Sequence, residues 1–126
     1  MKDTSTAPSG GGAEKLYDLS MVQAISGGDD SFVKRMVELF LETMPESVKE
    51  LQVALAEKNW DAVGKLAHKM KSTIDSMGID KLKQDIRTIE ASGKKAENTD
   101  KIPELVQNLT VIIDQCMAQL RSDFAL

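Results

Sequence analysis

The sequence predicts an all-α protein, an antiparallel up-down four-helix bundle with a short additional N-terminal helix. Three observations lead to this prediction. From Leu16 onward apolar residues recur at spacings of three and four, which is the period of amphipathic helices. Period-two alternation and Asn-Gly or Asp-Gly hairpin pairs are missing from the sequence. The segments between the periodic stretches are short, and helices joined by short loops pack as antiparallel neighbours.

Length and composition describe one small soluble domain. The 126 residues are enough for a single domain, with a flexible tail expected over residues 1–15 and the bundle over residues 16–126. A net charge of −4 argues against nucleic acid as a partner. No apolar run approaches the roughly 20 residues of a membrane span, and no secretion signal is visible. Because the lone Cys116 cannot form an internal disulfide, we expect a cytoplasmic protein, and its acidic surface suggests a monomer.

The first two helices are marked by capping residues and glycines. A short helix is expected over Asp18–Ser26, ended by the Gly27-Gly28 pair. Asp29, Asp30 or Ser31 then caps a long second helix. Pro45 lies within this helix and is expected to kink it, or to break it just before. The apolar stripe of the second helix consists of Val33, Met36, Val37, Phe40, Met44, Val48, Leu51 and Leu55.

Three further helices complete the predicted bundle. The third is expected over about Asn59–Met77, with Gly78 in a tight turn. The fourth follows over about Ile79–Ser92, and Gly93 opens a polar loop. Asp100 is expected to cap the last helix. The apolar stripe of that helix consists of Leu105, Leu109, Ile112, Cys116 and Leu120.

The only histidine of the sequence, His68, is the first candidate for chemistry. It lies roughly 140° from the centre of the apolar face of the third helix and therefore points to solvent. Gly64 and Ser72, one turn before and one turn after, leave the ring accessible, although a helical glycine costs about 1 kcal/mol relative to alanine. Lys71, three residues on, brings an ammonium close to the ring. Taken one at a time, His68 and Lys71 can each also be interpreted as an ordinary solvent-exposed side chain without a function.

A carboxylate on the fourth helix is the second candidate. Glu90 lies only about 40° from Ile86 on the helical wheel, within the apolar stripe, where a charge is costly unless it is paired. His68 lies ten residues before Gly78 and Glu90 twelve after it, so their heights match in an antiparallel pair. Glu90 could therefore accept a hydrogen bond from the near ring nitrogen and leave the far nitrogen as a nucleophile. Two alternatives stay open: a Glu90 side chain that reaches the edge of the bundle, and a Gly64 that serves helix packing.

These residues resemble the signature of histidine-containing phosphotransfer (HPt) domains. The stretch Leu66–Gly78, L-A-H-K-M-K-S-T-I-D-S-M-G, is similar to the pattern A-H-x-L-K-G-x-x-x-x-x-G. Ala67, His68, Lys71 and Gly78 match it. Similar stretches are F-L-E-T-M-P-E-S-V-K-E-L in the second helix and D-L-S-M-V-Q-A-I-S-G-G-D-D-S-F-V before it, so that the resemblance covers about residues 16–122.

The resemblance implies a phosphorelay carrier. His68 would accept a phosphoryl group on its outer nitrogen from the aspartyl-phosphate of a response-regulator receiver domain, and pass it to another receiver. A hybrid histidine kinase would act upstream. The resemblance gives Lys71 the role of steadying the phosphoryl group and Glu90 that of orienting the imidazole. It places the catalytic Mg²⁺ on the receiver, so that the chain would need neither a metal nor another cofactor of its own.

The sequence shows no ATP site, which favours a carrier over an enzyme. Gly10-Gly11-Gly12 lacks a preceding strand and a following Lys-Ser or Lys-Thr. Two other functions stay open. One is an HPt-like module that docks a receiver or kinase without accepting phosphate, and the other is a generic helical adaptor in which the histidine is incidental.

The expected binding surface surrounds the histidine on the third helix. It consists of Gly64, Lys65, Ser72 and Asp75. Ser72 departs from the family pattern, which has glycine directly after the lysine. Serine is also small, so we expect access to be preserved while partner preference or rate differs.

Overall fold

The computed structural model describes residues 15–126, and the all-α prediction is confirmed there, with no strand in that range. The tail predicted over residues 1–15 lies outside the described residues except for Lys15. Two short 3-10 turns precede the last two helices, at Asp80–Leu82 and Thr99–Lys101. The α-helices of this range are α1 (Ser20–Ser26), α2 (Asp30–Ala56), α3 (Trp60–Ser76), α4 (Lys83–Lys95) and α5 (Ile102–Asp123).

The four longer helices pack in a closed ring. α2 contacts α3, α3 contacts α4, α4 contacts α5, and α5 contacts α2 again, while α1 packs on α2. Short connections reverse the chain between neighbours, as expected for an antiparallel bundle. The apolar stripes of all four helices meet in one buried core. Within residues 15–126 no helix has both the length and the apolar character of a membrane span.

The first helix starts later than the sequence indicates, at Ser20 rather than at Asp18. The Asp18 backbone N–H donates to the carbonyl of Met77 at 3.0 Å, which ties this residue to the end of α3. Its carboxylate accepts from the Ser20 N–H at 2.9 Å instead of continuing the helix. Gly78 has φ 63°, and a Cβ there would lie 2.4 Å from the Asp18 carbonyl oxygen. The predicted turn therefore needs glycine both for its φ and for this close approach.

The second helix continues through Pro45, so of the two outcomes expected there, a kink or a break, the break is wrong. Pro45 is exposed, and its missing N–H costs the helix one hydrogen bond, the one to the carbonyl of Leu41. Met44 and Val48 are buried on either side of it. Burial of this stripe before and after Pro45 holds the helix together where local propensity alone would end it. At the start of α2 the Asp29 carboxylate accepts from two backbone N–H groups, as one of the predicted caps.

The fourth helix differs from its prediction at both ends. A 3-10 turn over Asp80–Leu82 precedes it, so α4 starts at Lys83 rather than near Ile79. It also runs past Gly93 to Lys95, and the residue that stops it is Ala96, with φ 53°. The prediction that Gly93 ends this helix is wrong because Gly93 packs directly against α3, as described below.

The last helix begins at Ile102, and Lys101 rather than Asp100 occupies the N-cap position. No side chain caps the backbone there, so the predicted capping role of Asp100 is wrong. Asp100 instead lies inside the short 3-10 turn. Pro103 is tolerated in the first turn, where its missing N–H has no helical partner to lose.

Candidate functional site

His68 stands on the outer face of α3, with 61% of its side chain exposed. The Asn59 side chain caps this helix by accepting from the Ala62 N–H at 3.2 Å. The buried face of the helix consists of Val63, Gly64, Ala67, Met70 and Ile74. With that face fixed in the core, the 3.6-residue period turns His68 toward solvent, as the sequence predicts.

Glu90 holds one nitrogen of the ring. It is the one buried charged residue among residues 15–126, with 8% of its surface exposed. The distance between His68 Nδ1 and Glu90 Oε2 is 2.5 Å, the contact that the matching heights around Gly78 predict. An ionised carboxylate only accepts hydrogen bonds, so Nδ1 carries the proton and donates it. Nε2 is then left with a free lone pair on the solvent side of the ring.

Two lysines complete this arrangement, which we call the Glu90 cluster: His68, Lys71, Glu90 and Lys94. Lys71 Nζ donates to Glu90 Oε1 at 2.8 Å, and Lys94 Nζ donates to Glu90 Oε2 at 2.9 Å. The hydrogen bonds from Lys71, Lys94 and His68, in that order, lower the pKa of Glu90 to about 2. Glu90 is therefore ionised at every physiological pH, which fixes it as the acceptor for the ring.

The low pKa of Glu90 predicts how stability depends on acid. As pH falls through about 4.5, the ordinary value, the unfolded carboxyl takes up a proton while the folded one stays ionised until about 2. The unfolded state then binds more protons, so stability is lost over this window. We expect the free energy of unfolding, measured by urea titration, to fall more steeply between these pH values in the wild type than in Glu90→Gln. The exposed Glu97→Gln is the matched control and should follow the wild type; parallel curves for Glu90→Gln would contradict the cluster.

A pair of glycines brings α3 and α4 together beside this cluster. A Cβ on Gly93 would lie 2.7 Å from the Gly64 nitrogen and 3.0 Å from the Trp60 carbonyl oxygen. A Cβ on Gly64 would lie 2.8 Å from the Lys94 nitrogen. All three of these atoms belong to the backbone, which cannot turn aside as a side chain can. Gly64 lies one turn before His68 and Gly93 three residues after Glu90, so this contact sets the helix separation across which the ring and the carboxylate meet.

Substitution of Gly93 tests this contact. We expect Gly93→Ala to lower the free energy of unfolding by about 1–3 kcal/mol, because overpacking against backbone outweighs the gain in helix propensity. Chemical denaturation measures the loss. Ser92→Ala, the preceding position on α4, is the control and should change stability little. An alanine at Gly93 that stabilises the protein would show that the two helices do not touch there.

The four residues of the predicted binding surface fall into different environments. Lys65 and Ser72 are exposed on the same side of α3 as the histidine, and Lys65 pairs with Asp61 at 2.9 Å. Asp75 is half-buried and held by Arg87 Nη2 at 2.7 Å, and this guanidinium lowers the pKa of its carboxyl. Gly64 is buried, so its place on an exposed surface is a wrong prediction. The packing role left open for it is the one that the structure shows.

Two residues of this arrangement are missing from the sequence prediction, Lys94 beside Glu90 and Gly93 at the helix contact. Both had a signal. Lys94 follows Glu90 by four residues, the spacing at which a glutamate and a lysine pair on a helix. Gly64 lies fourteen residues before Gly78 and Gly93 fifteen after it, so the height comparison that paired His68 with Glu90 also pairs the two glycines.

The arrangement can do one kind of chemistry well. An exposed, unprotonated ring nitrogen is a nucleophile, and the carboxylate behind the ring stabilises the imidazolium that forms when it attacks an electrophile. Ammonium groups beside the ring can stabilise an anionic group transferred to it. Within the described part of the chain, no three His, Cys, Asp or Glu side chains are grouped to hold a metal ion.

Fold and site together define a class of protein, the small helical modules that present one oriented histidine for group transfer. The family model of the Hpt domain matches residues 35–123, and the chain belongs to the Hpt domain family. Its general role is therefore that of a histidine phosphotransfer module in phosphorelay, a phosphocarrier rather than a catalyst. Modules of this family interact with receiver domains and kinases.

A solved structure supports the fold. The chain is similar to the crystal structure of histidine-containing phosphotransfer protein B (HptB) from Pseudomonas aeruginosa PAO1, with a TM-score of 0.78 and 15% identity. The similarity covers 88% of this chain and 96% of that one. No curated protein matches the chain.

Proposed function

We propose that His68 accepts a phosphoryl group from the aspartyl-phosphate of a receiver domain and passes it to a second receiver. The observation that carries this proposal is the asymmetry of the ring. Nδ1 lies 2.5 Å from a nearly buried carboxylate, while the side chain as a whole is 61% exposed. The ring therefore has one nitrogen that is fixed and one that a partner can reach.

The transfer follows from this asymmetry. The Nε2 lone pair attacks the phosphorus of the aspartyl-phosphate in line, and the bond from phosphorus to the aspartate oxygen breaks as the nitrogen–phosphorus bond forms. The aspartate leaves as a carboxylate with its electron pair. The ring keeps its Nδ1 proton and becomes a phosphorylated imidazolium, whose positive charge faces Glu90. Transfer to the next receiver runs the same steps in reverse, with the aspartate of that receiver as nucleophile.

Lys71 supplies the charge that the transferred group needs. It lies three residues after His68 on α3, so its ammonium starts from the same side of the helix as the ring. In the unphosphorylated protein it contacts Glu90, with 29% of its side chain exposed. A turn of its flexible side chain brings the ammonium toward Nε2, where it neutralises part of the phosphoryl charge.

The surface on the α2 side of His68 is the proposed docking site for the receiver. A groove of about 690 Å³ runs between α2 and α3, and Val53, Leu66, Lys65 and Lys69 are among the residues that line it. Lys65 and Lys69 lie within one turn of His68. Val53 supplies an exposed apolar side chain in this groove for contact with the partner. An apolar surface with a polar rim beside the reactive group suits a protein partner.

The partners and setting follow from the same proposal. The donor and acceptor are response-regulator receiver domains, with a hybrid histidine kinase upstream. Mg²⁺ is supplied by the receiver, and the chain acts as a cytoplasmic monomer without a cofactor of its own.

The proposed function is tested by transfer from receiver domains charged with a small phosphodonor. Intact mass should show that the wild-type chain gains one phosphoryl group that is labile in acid and stable in alkali. Binding of each receiver is measured in parallel. A receiver that binds but transfers nothing, across a panel, would contradict the carrier role and leave the chain as an HPt-like interaction module.

A further inference from the structure

Glu90 has more positive partners than its charge requires. Lys71 contacts Oε1 at 2.8 Å and Lys94 contacts Oε2 at 2.9 Å, while His68 also donates to Oε2. With a neutral ring the cluster therefore carries one surplus positive charge. One ammonium would be enough to neutralise the negative charge of Glu90. The presence of a second ammonium therefore needs another explanation.

The two lysines hold Glu90 in different ways. Lys94 shares α4 with Glu90 and follows it by four residues, the orientation in which a glutamate and a lysine pair favourably along a helix. This pair forms within one helix and does not depend on α3. Lys71 shares α3 with His68, so its contact with Glu90 crosses between helices. Lys71 is thus the lysine whose backbone lies beside the ring.

Phosphorylation would change what Lys71 contacts. A phosphoryl group on Nε2 brings close to two negative charges to the solvent side of the ring and attracts the ammonium. A departure of Lys71 would leave Glu90, a residue with 8% of its surface exposed, without that counter-ion. A nearly buried charge that loses its partner is strongly destabilised. Lys94, whose side chain is 50% exposed, stays in place on Oε2 without needing to move.

We propose that Lys94 is the standing counter-ion of Glu90, which releases Lys71 to the phosphoryl group during transfer. This inference rests on the proposed function of His68. Lys94 is a positioning residue here, since it acts through Glu90 and does not touch the transferred group. The same argument explains why the ring keeps its orientation after transfer, because Glu90 remains ionised and continues to accept from Nδ1.

The experiment compares transfer rates from a charged receiver for the wild type, Lys94→Met, Lys94→Arg and Lys95→Met. Methionine keeps the unbranched chain of lysine up to the ε position without its charge. We expect Lys94→Met to slow transfer about tenfold, the scale of one charge-assisted hydrogen bond. Lys94→Arg should stay within about twofold of the wild type, because arginine restores the charge. The neighbouring exposed Lys95→Met controls for a general loss of surface charge and should not slow transfer.

The same substitution in the Glu90→Gln background separates the counter-ion role from the alternatives. Without a charge at position 90 no counter-ion is needed, so Lys94→Met should change the rate by less than about twofold there. A tenfold loss in both backgrounds would overturn the proposal, since Lys94 would then contact the phosphoryl group or support the fold. An unchanged rate in the wild-type background would also overturn it. A wild-type chain that accepts no phosphoryl group would instead contradict the function of His68.

Discussion

His68→Gln is expected to abolish phosphoryl transfer while the protein remains folded. Glutamine has no nucleophilic nitrogen, because the lone pair of an amide nitrogen is delocalised into its carbonyl, so no bond to phosphorus forms. Its amide can still donate to Glu90 in place of Nδ1, which keeps the carboxylate satisfied. With 61% of the histidine side chain exposed, little packing is lost, and we expect stability within about 0.5 kcal/mol of the wild type.

Intact mass after incubation with a charged receiver measures the effect. The mass increase of the wild type should fall to background in His68→Gln. Lys95→Gln, at an exposed position on α4 outside the docking groove, makes the same new side chain without removing the nucleophile and should retain phosphorylation. Transfer that persists in His68→Gln would place the acceptor elsewhere, while a loss of helical content would show that the ring is structural.

The parts of the fold that the sequence predicts correctly are those that a periodic pattern determines. The predicted apolar stripes of α2 and α5 recur over several turns, and most of their members are buried, while Met36, Leu55, Leu105 and Ile112 are partly buried. The contact between His68 and Glu90 is predictable for a related reason. Gly78 and the 3-10 turn over Asp80–Leu82 join α3 to an antiparallel α4, so similar distances from this connection bring residues to similar heights.

The errors come from residues that have two possible roles. A glycine after an amphipathic stretch is a typical helix end, but Gly93 lies inside α4 because a neighbouring helix occupies the space of its Cβ. Proline typically ends a helix, but the buried stripe on both sides of Pro45 outweighs the one lost hydrogen bond. In both cases the deciding interaction is with another helix, which local sequence does not contain.

Glu90→Gln is expected to slow phosphoryl transfer about a hundredfold without unfolding the protein. A carboxylate can only accept, which forces the proton onto Nδ1 and leaves Nε2 free. A glutamine amide can also donate to Nδ1, which favours the tautomer with the proton on Nε2, the position that must attack. The neutral amide also gives weaker support to the imidazolium that forms on transfer. Loss of the corresponding carboxylate from a Ser-His-Asp triad costs about 10⁴-fold by the same two effects, and the smaller figure reflects the lysines that remain.

Two measurements separate this role from a purely structural one. Transfer rates give the size of the effect, with the exposed Glu97→Gln as the matched control that should behave as the wild type. Nitrogen NMR of the ring reports which nitrogen carries the proton. We expect a protonated Nδ1 in the wild type and a loss of this preference in Glu90→Gln. A slow variant with an unchanged tautomer would leave only the electrostatic effect. A variant that transfers within twofold of the wild type would mean that the short contact between Glu90 and the ring has no part in the reaction.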